Sequence, residues 1–409
     1  MLPTADTGDR AFTAAPRAEA KPLHIFVLGN DISMLVNFQG PLIKAMLAAG
    51  HRVTAAAAGR DRKSERWLSK QGVPYREIQM ERAGLNPIKD GATFMRLIAT
   101  LRETRPDFLF TYTIKPVVYG LLAARLVGVK RSAAMITGLG YAFTEDDGER
   151  SRALLRRGAI RRAARTAYGT ALRFADTVIF QNPDDRALFD ALGLLKRVRK
   201  VGLVQGSGVD VLHFAPQPMP KGTLVVLMIA RLLRDKGLYD YVDAARIVKR
   251  ERPDIRFRLV GPYDPNPASV SPHEVDTWAS EGSIEYRGAV TDVRPHIAAC
   301  HIFVLPSYRE GTPRTVLEAM AMGRPIITTD VPGCRETVVH DENGLLVPVR
   351  NAREIAKAIL TLASQPERRL AMAAASLRIV RDRYEAQSVS NSALELMGLL
   401  SSDFNRQVR

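Results

Sequence analysis

Long apolar runs are missing from this chain. None of its 409 residues belongs to a stretch approaching the roughly 20 apolar residues that span a bilayer. Residues 117–129 come nearest, but that run is short and carries Arg125. Cysteine is scarce, with only Cys300 and Cys334. Two thiols build no disulfide scaffold, and such usage suits a reducing compartment. The seven histidines are scattered. No close His/Cys ligand spacing appears, so no metal is expected. No Asp-x-Asp follows a strand, and Asp184-Asp185, behind Pro183, reads as a helix start. No Gly-x-Gly-x-x-Gly follows the first strand, which argues against a nicotinamide dinucleotide enzyme. Residues 1–20 lack the apolar core of a secretory signal. They are polar, Ala-rich and punctuated by Pro and Gly, and read as a disordered tail.

What is present is globular. The chain is 46% hydrophobic and 25% charged, and its length predicts two or three domains, with apolar material for two sizeable cores. The formal net charge is +16, and the isoelectric point is near 10.0. Such a balance suits nucleic acid, an anionic membrane or a phosphorylated substrate, and composition leaves the three open.

Short apolar runs alternate with helical spacing. Leu23-His24-Ile25-Phe26-Val27-Leu28 reads as a buried parallel strand ended by Gly29. A helix is predicted over 41–49, with Gly50 as its stop. Further strands are predicted at 53–57, 108–112, 133–137 and 177–180. A second set is predicted at 224–230, 257–260, 284–286, 302–305 and 326–328. Between the sets, Phe214-Ala215-Pro216-Gln217-Pro218-Met219-Pro220 reads as a linker. The economical architecture is α/β, two Rossmann-like halves joined near residue 216. Ligands of such sheets bind beyond the carboxyl ends of the strands, so the loops there are the place to look.

The strongest motif is Arg309-Glu310-Gly311-Thr312-Pro313-Arg314-Thr315-Val316-Leu317-Glu318. Thr312 is expected to cap a helix that begins at Pro313. The amides of Gly311, Thr312, Arg314 and Thr315 would then form a helix entrance suited to phosphate, and Gly311 admits close backbone approach. Glu310 stands beside the expected phosphates. Glu318 lies two turns along the same face, placed for the ribose diol at the nucleoside end. A second motif follows the first strand of the second half: Ala230-Arg231-Leu232-Leu233-Arg234-Asp235-Lys236-Gly237. Arg231 and Lys236 are two cations able to neutralise a leaving diphosphate.

Together these motifs resemble glycosyltransferase family four, retaining enzymes of the GT-B fold. Arg231 and Lys236 resemble the family's phosphate clamp, and Glu310…Glu318 resembles its E-x(7)-E element. Glu318-Ala319-Met320-Ala321-Met322-Gly323-Arg324-Pro325-Ile326, Gly333-Cys334-Arg335-Glu336-Thr337-Val338 and Asn343-Gly344-Leu345-Leu346-Val347 are equally similar. In the first half, Thr113-Ile114-Lys115-Pro116 and Ile136-Thr137-Gly138-Leu139-Gly140-Tyr141 resemble members that extend polyprenyl-diphosphate-linked saccharides. One glycine, Gly29, stands where many members carry two.

The resemblance implies a tail at 1–20, an acceptor domain at 21–215, a donor domain at 216–385, and a C-terminal helix within 386–409 returning to the first domain. It implies catalytic roles for Glu310, Arg231 and Lys236, with donor contacts from Gly311, Thr312, Pro313, Arg314, Thr315 and Glu318. Gly29, Asn30, Lys115, Thr137 and Gly138 would line the acceptor side. No cofactor is implied. The implied partners are a nucleotide-diphosphate sugar, UDP-linked, and a lipid-linked saccharide, with no nucleic acid.

Such an acceptor places the enzyme on the cytoplasmic face of a membrane. The stretch 150–173 has arginines interleaved with apolar residues and suits anionic lipid headgroups. Arg156, Arg157, Arg161 and Arg162 are the expected contacts. A solvated helix packing its apolar stripe on the first sheet explains the same pattern. A GT-B-like sugar-nucleotide epimerase and a non-catalytic binding protein are the rival classes.

Overall fold

A computed structural model describes residues 22–81, 87–138, 162–264, 266 and 269–400. Two all-parallel sheets organise them. The first contains β1 (His24–Leu28), β2 (Arg52–Ala57), β3 (Tyr75–Glu77), β4 (Phe108–Tyr112), β5 (Arg131–Ile136), β6 (Thr177–Phe180) and β7 (Lys200–Leu203). Its order is β3-β2-β1-β4-β5-β6-β7. The second contains β8 (Val225–Ile229), β9 (Arg256–Val260), β10 (Glu285–Tyr286), β11 (Ile302–Leu305), β12 (Ile326–Thr329) and β13 (Gly344–Val347), ordered β10-β9-β8-β11-β12-β13. Both orders step outward from a central strand and reverse, which leaves a crevice at the carboxyl ends of β1/β4 and of β8/β11.

Helices cover both faces of the first sheet. They are α1 (Ile32–Ala48), α2 (Arg62–Lys70), α3 (Pro87–Thr104), α4 (Ile114–Val127), α5 with its described part at 162–171, and α6 (Pro183–Ala191). The second half carries α7 (Leu238–Glu251), α8 (Pro272–Ser280), α9 (Arg294–Ala298), α10 (Arg314–Ala321), α11 (Ala352–Ser364) and α12 (Pro366–Arg383), and α13 (Ala386–Met397) follows. Covered on both faces, the central strands are wholly apolar and buried, as in Ile25–Leu28 and Val225–Ile229. None of the helices among the described residues is long and apolar enough to cross a membrane.

Two sequence expectations change here. The first helix begins nine residues earlier than the predicted 41 and contains Pro41. Asp31 starts it by accepting from Ser33 N at 2.9 Å and Met34 N at 3.0 Å; burial of Leu35 and Ile32 outweighs the rung lost at Pro41. Strands β3, β7 and β13 are additional, at the edges of the sheets. They are short, and only tertiary pairing makes strands of them.

The chain crosses between the halves twice, side by side. Val209 N donates to Tyr384 O at 2.8 Å, and Ala386 N donates to Val209 O at 3.0 Å. Beyond this bridge α13 lies on α1 and β6. Its Val389, Ala393, Leu394 and Met397 share a core with Ile25 and Val27 of β1. Buried Arg324, between α10 and β12, grips the first crossing with all five of its N–H groups in use. They reach the carbonyls of Gln217 (3.0 Å), Pro218 (3.1 Å), Ile297 (2.9 Å), Ala298 (3.0 Å) and Gly323 (3.0 Å).

Candidate active site

β8 ends at Ile229, and the chain turns through Arg231 into a 3-10 turn, Arg234–Lys236. Gly237 follows with φ +73°, and a Cβ there would lie 2.0 Å from Pro306 O. Only glycine lets this turn press against the end of β11. Lys236 is thereby brought to Glu310: Nζ donates to Oε1 at 2.6 Å, and Ser307 Oγ donates to the same oxygen at 2.8 Å. Burial pulls the Lys236 amine down, but the charges of Glu310 and Asp235 outweigh it and its pKa rises. The ammonium is therefore held charged. Burial pushes the Asp235 carboxyl up, and its Oδ1 has no hydrogen-bond partner among the described residues. Arg231 points instead to Asp264, NH1 to Oδ2 at 2.6 Å.

The loop after β11 carries Glu310 between fixed points. Glu310 N donates to Pro332 O at 3.0 Å. A Cβ on Gly333 would come within 2.3 Å of Glu310 O. The expected cap is corrected here: α10 begins at Arg314 with Pro313 at its N-cap, and no side chain caps it. Thr312 does not cap because its Oγ1 donates across the cleft to Gln181 O at 3.2 Å. The first amides of an uncapped helix are donors for an anion. Thr315 sits in that first turn. Further along, buried Glu318 accepts Arg314 Nε at 3.0 Å. Burial pushes the Glu318 carboxyl up, and Arg314 opposes the shift. The Arg314 guanidinium also stacks on Phe38 of α1, 5.6 Å from the ring centre. Second-half and first-half elements meet at this point.

On the first half, Thr137 and Gly138 are brought against Gly311. A Cβ on Gly311 would lie 2.7 Å from Thr137 O and 2.6 Å from Gln181 Oε1. One on Gly138, at φ +103°, would lie 3.1 Å from Gly311 N. Gly29 and Asn30 sit elsewhere on the rim: a Cβ on Gly29 would meet Tyr112 OH at 2.2 Å. Asn30 Oδ1, Tyr112 OH and Thr113 Oγ1 are buried without hydrogen-bond partners among the described residues. Thr113 is held at φ +65°, a costly conformation for a β-branched residue that clusters at functional sites. Lys115 is engaged by Asp90 at 2.8 Å, both side chains largely buried. Among the described residues no bond joins Gly29, Asn30 or Lys115 to the Glu310 loop.

Arg156, Arg157 and Arg161 lie outside the described residues. Arg162 opens the described part of α5 and is exposed. Tyr168 of the same helix is buried edge-on against Phe189, ring centres 5.1 Å apart. Ser307, Asp264, Asn182, Asp185 and Arg309 also belong to the site or its frame, and no sequence reading singled out their roles. Ser307 had a readable signal, three residues before Glu310 at a strand end. Among the described residues no group of three or more His, Cys, Asp or Glu could hold a metal.

With this geometry in place, comparison with known proteins identifies the lineage. Residues 223–365 match the family described as Glycosyl transferases group 1, and residues 38–202 match the Glycosyl transferase 4-like domain. One relative is the N,N'-diacetylbacillosaminyl-diphospho-undecaprenol alpha-1,3-N-acetylgalactosaminyltransferase of Campylobacter jejuni, 29% identical over 364 residues, covering 86% of this chain and 92% of that protein. Among solved structures, sucrose-phosphate synthase from Thermosynechococcus elongatus superposes with a TM-score of 0.74 at 18% identity, over 91% of this chain and 98% of that one. Anabaena Alr3699/HepE, in complex with UDP and glucose, gives 0.68 at 18% identity, over 92% and 99%. These structures establish GT-B, two Rossmann-like halves facing across a cleft. Matched in both halves by family domains and folded as they fold, the chain belongs to the family-four-like, group 1 glycosyltransferases.

Proposed function

We propose that this enzyme transfers a hexose or N-acetylhexosamine from a UDP-linked donor to a lipid-linked saccharide, with retention of anomeric configuration, in bacterial surface polysaccharide or glycan assembly. The observation that carries it is the Lys236–Glu310 contact beside the uncapped start of α10. It gathers a fixed cation, a carboxylate and free helix amides at one point beyond the strand ends. Arg231, Lys236 and the amides around Gly311–Thr315 hold the diphosphate. Glu318 takes the ribose, and Glu310 takes a sugar hydroxyl near the anomeric carbon. Positive charge at the clamp matters most when the sugar–phosphate bond breaks, because negative charge then grows on the diphosphate. The acceptor hydroxyl attacks from the same face, and its proton passes to the departing phosphate oxygen. Glu310 is not required as nucleophile on this route, and its ties to Lys236 and Ser307 suit an orienting role.

The acceptor enters along the first half, past Gly29, Asn30, Lys115, Thr137 and Gly138. Support for a lipid-linked acceptor comes from the Campylobacter relative, whose name specifies an undecaprenol diphosphate substrate. Support for UDP comes from the Anabaena structure with UDP and glucose. The enzyme then works as a peripheral protein on the cytoplasmic membrane face. A screen of sugar nucleotides against membrane-extracted lipid acceptor, read by mass spectrometry, tests the proposal. The expected result is a lipid product heavier by one sugar. Free epimerised sugar nucleotide without acceptor would replace it with the epimerase reading.

A further inference from the structure

The loop carrying Glu310 belongs to the second half, yet its backbone is gripped from the first. β6 leads through Gln181 and Asn182 into α6. The buried Asn182 side chain has two roles. Its Oδ1 accepts Asp185 N at 2.8 Å and so caps α6. Its Nδ2 donates across the cleft to Gly311 O at 3.1 Å and Glu310 O at 3.3 Å, and to Asp185 Oδ2 at 3.1 Å. Asp185, with no exposed side-chain surface, in turn accepts from the guanidinium of Arg309. A carboxylate buried this completely is kept only with its partner in place. Thr312 adds its bond to Gln181 O. Arg309, Glu310, Gly311 and Thr312 are thus all tied to one strand–helix junction of the other half. The Glu310 carboxylate is meanwhile held by Lys236 and Ser307 of its own half.

We infer that Asn182 and Asp185 are positioning residues for Glu310: reaching from the acceptor half, they hold the Glu310 and Gly311 carbonyls and the Arg309 guanidinium, and so fix the loop from which the carboxylate reaches the donor site. The inference rests on the donor-site reading above. It gives acceptor-half residues authority over turnover while leaving the nucleotide's own contacts intact.

Capping and positioning can be separated by substitution. Serine is as good an N-cap as asparagine, but it has no amide to reach Gly311. In Asn182→Ser the cap persists and the cross-cleft bonds are lost. Turnover should fall about 10-fold to 100-fold, the scale of a small misplacement at a reacting centre. The dissociation constant of UDP should rise far less than turnover falls, because the bonds lost hold the carbonyls of Glu310 and Gly311 and not the cations and helix amides assigned to the diphosphate. Amide hydrogen exchange across 309–316 should accelerate by about tenfold or more, well beyond any change in the exchange of the two central sheets. In a Glu310→Gln background, adding Asn182→Ser should cost less than about twofold, since the residue acts through Glu310. Parental turnover and exchange in Asn182→Ser would overturn the inference, as would an equal loss in both backgrounds. If the parent transfers no sugar, the donor reading fails, and the exchange of 309–316 in Asn182→Ser still decides whether Asn182 holds the loop.

Discussion

At the scale of single residues, charge and its burial make the sharpest predictions. Arg231→Ala and Lys236→Ala should each lose roughly 2–4 kcal/mol of transition-state stabilisation, the range for one well-placed donor to developing negative charge. Steady-state kinetics of both variants test this, and near-parental turnover in both removes the clamp from the mechanism. Glu318 adds a pH dependence. Burial raises its carboxyl above the ordinary 4.5 against the pull of Arg314. As pH falls through that raised value the carboxylate takes up a proton and ceases to accept freely from a ribose diol. UDP affinity should therefore weaken toward acid from a point above 4.5. Calorimetry on the parent and Glu318→Gln isolates the effect, because protonation of the nucleotide itself is common to both. An identical acid limb in the variant would free Glu318 from the ribose. Arg324 makes a structural prediction. Lysine offers three donors where the guanidinium supplies five bonds. Arg324→Lys should cost roughly 1–3 kcal/mol for each carbonyl left unpaired, read as a lowered urea midpoint.

At the scale of elements, legibility follows locality. The central strands are readable because a fully buried parallel strand is an unbroken apolar run, and β4, β6 and β11 coincide with theirs. Edge strands β3 and β7 carry mixed sequence and exist through their neighbours. Arg231, Lys236 and Glu310 stand out because each follows a strand at a short interval, and Glu318 because it lies on the helix that follows, at a fixed spacing from Glu310. Asn182 looks like an ordinary helix cap beside Pro183. Its second role, like that of Asp185 and Arg309, depends on residues more than a hundred positions away. No local pattern encodes that contact. Thr312 misleads for the same reason: its hydroxyl is drawn to Gln181 O rather than to the helix it precedes. Crowding at the loop gives the element-level test. Gly311→Ala would place a methyl 2.6 Å from Gln181 Oε1 and 2.7 Å from Thr137 O, distances that force the halves apart. Turnover of Gly311→Ala should drop as far as in Asn182→Ser. Gly50→Ala, whose Cβ meets nothing within 4 Å, should show only the modest stability cost of its φ of +83°.

At the scale of the whole molecule, the +16 charge meets an acceptor proposed to lie in lipid. Each basic residue near an anionic surface contributes about 1 kcal/mol, and salt screens that attraction. Binding to vesicles containing anionic lipid should weaken with salt and with Arg156, Arg157, Arg161 and Arg162 changed to Gln. A water-soluble acceptor analogue should still be glycosylated by that variant. Undiminished sedimentation of the variant at low salt would favour the solvated-helix reading of this stretch, in keeping with the inward packing of Tyr168.

The return of α13 to the first half has a consequence for synthesis. Val389, Leu394 and Met397 complete the apolar layer beneath β1, and His51 Nε2 meets Leu399 O at 2.7 Å. On the ribosome, every strand of the first sheet emerges before any of these residues exists. The second sheet and its helices all lie between 225 and 383, so their partners follow one another within a single stretch of chain. The part of the enzyme made first is thus the part finished last, and until translation reaches α13 the face of β1 and α1 that it covers stays open to chaperones.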